Sequence, residues 1–142
     1  MQENEAVAAA VAVLVIHKGK LLLGKRIRNG RFEAWQCPGG YLLKGESLET
    51  AAKRICLLRA GLAITDIRYG PCTNNVFSEC VPVKHSVTLY LLTNSFKLEN
   101  NRQFTSQGYD WGWYDLDRLP EPLFLPLKIL NDQHDLTQLI HH

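Results

Sequence analysis

The stretch Gly40-Tyr41-Leu42-Leu43-Lys44-Gly45-Glu46-Ser47-Leu48-Glu49-Thr50-Ala51-Ala52-Lys53-Arg54-Ile55-Cys56-Leu57-Leu58-Arg59-Ala60-Gly61-Leu62 decides how this chain is read. Ser47 is placed to cap a helix, with Glu49 and Thr50 in the first turn. Good helix formers follow through Arg59, and Gly61 stops the run as a C-cap. Positions 55, 58 and 59 are spaced i, i+3 and i+4, so they share one face of that helix. They hold Ile55, Leu58 and Arg59. Immediately upstream, Cys37-Pro38-Gly39-Gly40 puts two glycines where the backbone comes close to a phosphate or to a neighbouring strand.

Working outward, Val7 to Ile16 and Lys20 to Arg26 read as strands joined by the polar turn His17-Lys18-Gly19-Lys20, which suits a hairpin. Asn29-Gly30 is a second turn signal, and Phe32 to Gln36 leads into the glycines. Beyond the helix, Ile64 to Tyr69, Thr73 to Phe77 and His85 to Thr93 read as strands, the last with the β-branched and aromatic content of a central one. Phe96 to Gln107 is polar and Asn-rich, a loop or a strand edge. Tyr109 to Tyr114 reads as a strand with Trp111 and Trp113 on one face, and a final helix runs from Leu123 or Pro126 through Ile140. This order predicts a mixed α/β layer fold rather than a doubly wound parallel sheet.

The chain has 142 residues, 46% of them apolar, and a formal charge of +2, which fits one domain spanning residues 1–142 with a sizeable core. The near balance of charge gives no electrostatic case for duplex nucleic acid or a membrane surface, and leaves a small acidic ligand open. Ala6 to Ile16 is too short to span a bilayer, and Glu3 and Glu5 precede it where a secretory signal carries positive charge. We expect a buried strand in a cytoplasmic protein. Cys37, Cys56, Cys72 and Cys80 show no C-x-x-C pairing and no histidines at zinc-like spacing, so reduced, packed thiols are expected. The oligomeric state, a homodimer included, stays open, as does whether His141 and His142 are native.

Gly40, Glu46, Arg54, Gly61 and Leu62 fall at the spacings of the pattern G-x5-E-x7-R-E-U-x-E-E-x-G-U, with U a bulky aliphatic. The stretch resembles the Nudix box, with Ile55, Leu58 and Arg59 at the three glutamate positions that follow the arginine. The resemblance extends on both sides. Leu22-Leu23-Gly24-Lys25-Arg26 looks like the strand before the box, and Trp35-Gln36-Cys37-Pro38-Gly39-Gly40 like its W-x-x-P-G-G approach. Trp111-Gly112-Trp113-Tyr114 and Leu119 to Leu127 look like the closing strand and terminal helix of small MutT-like nucleotide diphosphatases. The resemblance implies an α/β/α sandwich with a mixed β-sheet, a central box helix and a C-terminal helix. It also implies a nucleotide or other nucleoside diphosphate derivative as the small-molecule ligand, and Mg2+ as cofactor if the chain is a hydrolase.

In that family, carboxylates on the helix face, aided by a backbone carbonyl of the glycine turn, hold hard divalent cations that neutralise pyrophosphate and generate the attacking hydroxide. Here two aliphatics cannot ligate a metal, and the Arg59 guanidinium is cationic and donor-only. The change from three carboxylates to one guanidinium moves the local formal charge from −3 to +1. One unit pair ~4 Å apart is worth up to ~4 kcal/mol in a partly screened site, so an ordinary metal cluster is not expected there. Leu43 stands where relatives often carry an acid.

Glu46 and Glu49 are the acids left in the box; Glu46, with the Gly40 carbonyl, is the metal candidate. The resemblance also offers it a structural pair with Arg54, and acids near helix starts are common for dipole reasons alone. Glu79 and Asp110 are further acids that either substitute as metal ligands or are plain surface groups. Lys25, Arg26, Trp35, Gly39, Gly40 and Arg59 are the substrate-contact candidates. Arg59 either donates bidentate hydrogen bonds to phosphate or simply favours the helix C-terminus. Ile55 and Leu58 face core, pocket or partner, with packing the default. Trp35, Tyr41, Trp111, Trp113 and Tyr114 include either a stacking platform or core only. His85 shows no identifiable partner. Three functions follow: a nucleotide binder with impaired or absent hydrolysis, an active Mg2+-dependent pyrophosphohydrolase drawing on Glu46, Glu49 or Glu79, and a protein-interaction module on an inactive fold.

Overall fold

The computed structural model describes residues 6–99 and 111–140. Strand β1 (Ala8–His17) is apolar and buried from Val11 to Ile16, where both of its faces are covered. Val11, Val13 and Val15 point to one layer, and Ala12, Leu14 and Ile16 to the other. The chain turns into β2 (Lys20–Arg28) through Lys18 and Gly19, at φ 52° and 75°. Asn29 and Gly30 repeat this turn, at 53° and 74°, before β3 (Arg31–Gln36). Two successive positive φ values match the twist of the flanking strands, which is why both turn signals give tight hairpins.

Next comes β4 (Gly39–Tyr41), paired antiparallel with Ala10 to Ala12 of β1. What the glycines approach here is therefore a strand: a Cβ on Gly39 would lie 3.3 Å from the Val11 carbonyl oxygen. Helix α1 (Leu48–Ala60) has the expected caps. The Ser47 hydroxyl accepts from the Thr50 N–H, and Gly61, left-handed at φ 69°, donates its N–H to the carbonyls of Cys56 and Leu57.

The remaining strands are β5 (Leu62–Thr65), β6 (Arg68–Phe77), β7 (Lys84–Thr93), β8 (Ser95–Leu98) and β9 (Gly112–Asp115). The main sheet runs β3-β2-β1-β7-β6, with β4 also on β1 and β9 on β2, while β5 and β8 form a separate ribbon. β1 and β7 are parallel and the other pairs antiparallel, so the sheet is mixed. α1 lays Ala51, Ala52, Ile55 and Cys56 on one face, over Val11, Val13 and Leu91. On the other face, Leu127 and Leu130 of α2 (Leu125–Gln133) and Leu136 of α3 (Leu136–Ile140) cover Leu14, Tyr90 and Leu92. This is the expected α/β/α sandwich.

The structure corrects several local expectations. Ile64 to Tyr69 is not one strand: Asp66, at φ 52°, breaks it, and β6 instead runs from Arg68 through Phe77, with a register shift between Tyr69 and Cys72. The final helix is also divided. His134 is extended, and the Asp135 carboxylate accepts from the N–H and hydroxyl of Thr137, starting α3 anew. Of the two readings of the polar stretch, Ser95 to Leu98 takes the strand one, its backbone completing the ribbon with β5. His85 does have a partner, the Asn74 side-chain oxygen at 2.6 Å. Cys37 and Cys56 are packed, and burial raises both thiols, Cys56 to about 12; Cys72 is exposed and Cys80 half-buried. Asp110, Tyr109, residues 100–107 of the polar stretch, and His141 and His142 lie outside the described residues.

Candidate functional site

The loop from Tyr41 to Ser47 is tied to α1 by one arginine. Arg54 Nε donates to Glu46 Oε2 at 2.7 Å, while Nη2 donates to Glu46 Oε1 at 3.0 Å and to the Tyr41 carbonyl at 2.9 Å. The backbone N–H of Leu43 donates to Glu46 Oε1 at 3.0 Å. Both carboxylate oxygens are thus engaged in a bidentate pair. The Arg54 hydrogen bonds, with that from Leu43, hold the Glu46 carboxyl below its ordinary range. Glu46 is where its pairing with Arg54 predicts, positioning the loop.

The face one residue further along α1 is different. Ile55 is 1% exposed and packs into the α1-side core. A Cβ added to Gly40 would meet it at 3.4 Å, so Ile55 fills the space under the glycine turn. Leu58 is 44% exposed. The Arg59 guanidinium reaches back to the same turn, with Nη2 4.0 Å from that Cβ position. Among the described residues no acid pairs with it. Its backbone carbonyl accepts from the Trp111 indole N–H at 2.9 Å, which anchors the end of α1.

These groups do not fit a divalent cation. Hard cations require several oxygen ligands. Around Gly40 the structure offers an aliphatic wall, a guanidinium and a carboxylate already shared between Arg54 and Leu43. Among the described residues no three His, Cys, Asp or Glu side chains converge. Glu49 is exposed in the first turn of α1 and accepts from the Tyr69 hydroxyl at 3.5 Å. Glu79 is exposed in the turn after β6.

The other candidates form a second group on β2 and β3. Arg26 Nε donates to Glu33 at 2.6 Å and Nη1 to Gln36 at 3.3 Å, and its Cζ lies 4.2 Å from the centre of the Phe124 ring. Lys25 Nζ is 5.8 Å from the Trp35 ring centre, and Trp35 packs against Phe32 and Tyr114. Trp111 is core: its ring occupies the space over Gly24, where a Cβ would come within 2.7 Å of it. Trp113 joins His17 and Phe96 beside a groove of about 720 Å³ that includes none of the box residues. Gln36, Phe77 and Phe124 carry no sequence signal of their own. They come together because β3 lies against Pro122 to Phe124, and because the Phe124 ring is 5.7 Å from that of Phe77.

With the sandwich and the box loop in place, the comparisons are consistent. The profile of the NUDIX domain matches residues 6–138, and the chain belongs to this family. The chain is 26% identical over 110 residues to an oxidized purine nucleoside triphosphate hydrolase of Danio rerio, covering 76% of this chain and 66% of that relative. It thus spans just under two thirds of that relative's length. The fold resembles a MutT NUDIX hydrolase from Burkholderia pseudomallei, with a TM-score of 0.79, 24% identity, and 91% and 98% of the two chains covered. A NUDIX hydrolase from Nitrosomonas europaea gives 0.71, 18%, and 91% and 89%. No helix among the described residues is long and apolar enough to cross a membrane.

Proposed function

We propose that this chain is a cytoplasmic Nudix-fold protein that binds a nucleotide or related pyrophosphate without a divalent ion, and hydrolyses it poorly or not at all. The observation that carries this reading is the Arg59 guanidinium beside the Gly40 turn with no acid paired to it among the described residues. A guanidinium there offers bidentate donors to phosphate oxygens and supplies directly the positive charge that a bound cation would bring. It cannot activate water, because it has neither a basic lone pair nor a Lewis-acid site. The Danio rerio relative acts on an oxidized purine nucleoside triphosphate by name, which makes nucleoside triphosphates the first ligands to try.

The test is thermal melting with a nucleotide panel, in EDTA and again in Mg2+. A ligand that binds only the folded state raises the melting temperature by linkage. The reading expects stabilisation in EDTA that Mg2+ does not increase, and no release of phosphate, pyrophosphate or nucleoside monophosphate. Mg2+-dependent turnover would instead favour a hydrolase using non-standard acids. No response to any nucleotide would favour a docking role, which the exposed Leu58 side chain suits.

A further inference from the structure

The mismatch between the Gly40 turn and a divalent cation extends to a cation that a ligand carries in. From Gly40 to Leu62 the chain holds Lys44, Lys53, Arg54 and Arg59 against two acids, Glu46 and Glu49. Neither acid is placed to meet a cation at the turn. Glu46 has 9% of its side chain exposed, and Arg54 Nε, Arg54 Nη2 and the Leu43 N–H already occupy its oxygens. Glu49 lies ten residues before Arg59 on α1, ~15 Å along the helix axis, and accepts from the Tyr69 hydroxyl. That separation exceeds the screening length of ~8 Å at physiological salt. Arg59 itself is half-buried, so its charge is screened less than that of an exposed side chain.

A polyphosphate complexed with Mg2+ is a different ligand from the free anion. The ion sits on the phosphate oxygens, keeps several waters, and in a protein site completes its shell with one or two carboxylates. The guanidinium needs those same oxygens for its bidentate donors. At the Gly40 turn an incoming Mg2+ therefore meets a positive charge aimed at its own ligands and an aliphatic wall at Ile55. The carboxylate of Glu46, held by Arg54, does not offset either. Two cations compete for one set of oxygens, and the one built into the fold is already in place.

We infer that Mg2+ is an antagonist of this site: Arg59 takes phosphate only in its metal-free form, so occupancy falls as free Mg2+ rises. The inference rests on the nucleotide-binding reading and goes past it, from a site that does without the metal to one that rejects it. Because the antagonism runs through the ligand, it is strongest for anions that chelate Mg2+, such as nucleoside triphosphates and tripolyphosphate. Linkage fixes its size. If only the free anion binds, the apparent Kd rises by one plus the ratio of free Mg2+ to the ligand's own Mg2+ dissociation constant.

Calorimetric titration of ATP and of tripolyphosphate, in EDTA and then across a free Mg2+ series at constant ionic strength, reads this dependence. Once Mg2+ saturates the ligand, each ten-fold rise in Mg2+ should weaken binding about ten-fold, a slope of about one on logarithmic axes. A second probe carries its metal with it: the exchange-inert tetraamminecobalt(III) complex of ATP should bind about ten-fold or more weakly than ATP in EDTA, the scale of a lost charge-assisted pair. Arg59→Gln should give a much shallower slope, whereas Arg59→Lys, which keeps the charge, should hold the parent's. A flat response in the parent, or equal affinity for ATP and its cobalt complex, would overturn the antagonism while leaving metal-independent binding intact. Binding strengthened by Mg2+ would overturn both. The parent's slope persisting in Arg59→Gln would overturn Arg59 as the source of the exclusion. Failure of both anions to bind in EDTA would sink the nucleotide-binding reading, and this inference with it.

Discussion

Two sides of one helix stop agreeing at Arg54. The side toward the loop keeps a working frame: Ser47 caps the first turn, Arg54 grips Glu46 and the Tyr41 carbonyl, and Gly61 ends the helix in left-handed geometry. The side toward the Gly40 turn carries one buried aliphatic, one exposed aliphatic and one guanidinium. The difference teaches that the box holds two separable layers of information. Its glycines, caps and Glu46–Arg54 pair build a loop-helix junction, whereas the face that carries Ile55, Leu58 and Arg59 is where the box pattern has the carboxylates of the chemistry. The first layer stands here without the second.

Substitutions along the two sides should sort by this division. Ile55→Ala should have the largest effect, about 2–4 kcal/mol of lost stability, since it opens a cavity between α1 and the glycine turn; a denaturant midpoint shift below a quarter of that would show Ile55 is not core. Ser47→Ala should cost about 1 kcal/mol through the lost cap, read from the same curves. Leu58→Ala should change stability by less than about 0.5 kcal/mol, as for exposed sites. A larger loss would mean that Leu58 packs against something in solution.

Glu46 gives a subtler, pH-dependent test. Its carboxyl is held below the ordinary value in the folded chain, so its contribution to stability is present above the unfolded carboxyl's range and is lost as pH falls through the lowered folded value. Glu46→Gln should therefore flatten part of the acid limb of the stability curve and leave the limb above neutrality alone. An unchanged acid limb would remove Arg54 as the source of the shift.

Much of this was legible in the residues. The caps at Ser47 and Gly61 and the two turns at Lys18-Gly19 and Asn29-Gly30 are local, so sequence suffices for them. The break at Asp66 and the division at Asp135 were not, because each depends on a side chain or a left-handed residue inside an otherwise periodic run. For the site, spacing put Arg59 on the face of Ile55, but only the fold shows Ile55 sealed beneath Gly40 and the guanidinium beside it. Asn75 and Thr73 looked like ordinary strand residues. Their burial depends on pairing with β7 and on β1 beyond it, a long-range fact with no local signature.

The account turns on Arg59 doing by direct contact what a cation would do. Tripolyphosphate titrated into the parent chain and into Arg59→Gln, in EDTA and then in excess Mg2+, tests that most directly. The account predicts binding by the parent in EDTA that Mg2+ does not strengthen, and a loss of about ten-fold or more in Arg59→Gln, the scale of a charge-assisted pair. Binding by the parent only in Mg2+, or equal affinity in Arg59→Gln, would contradict it.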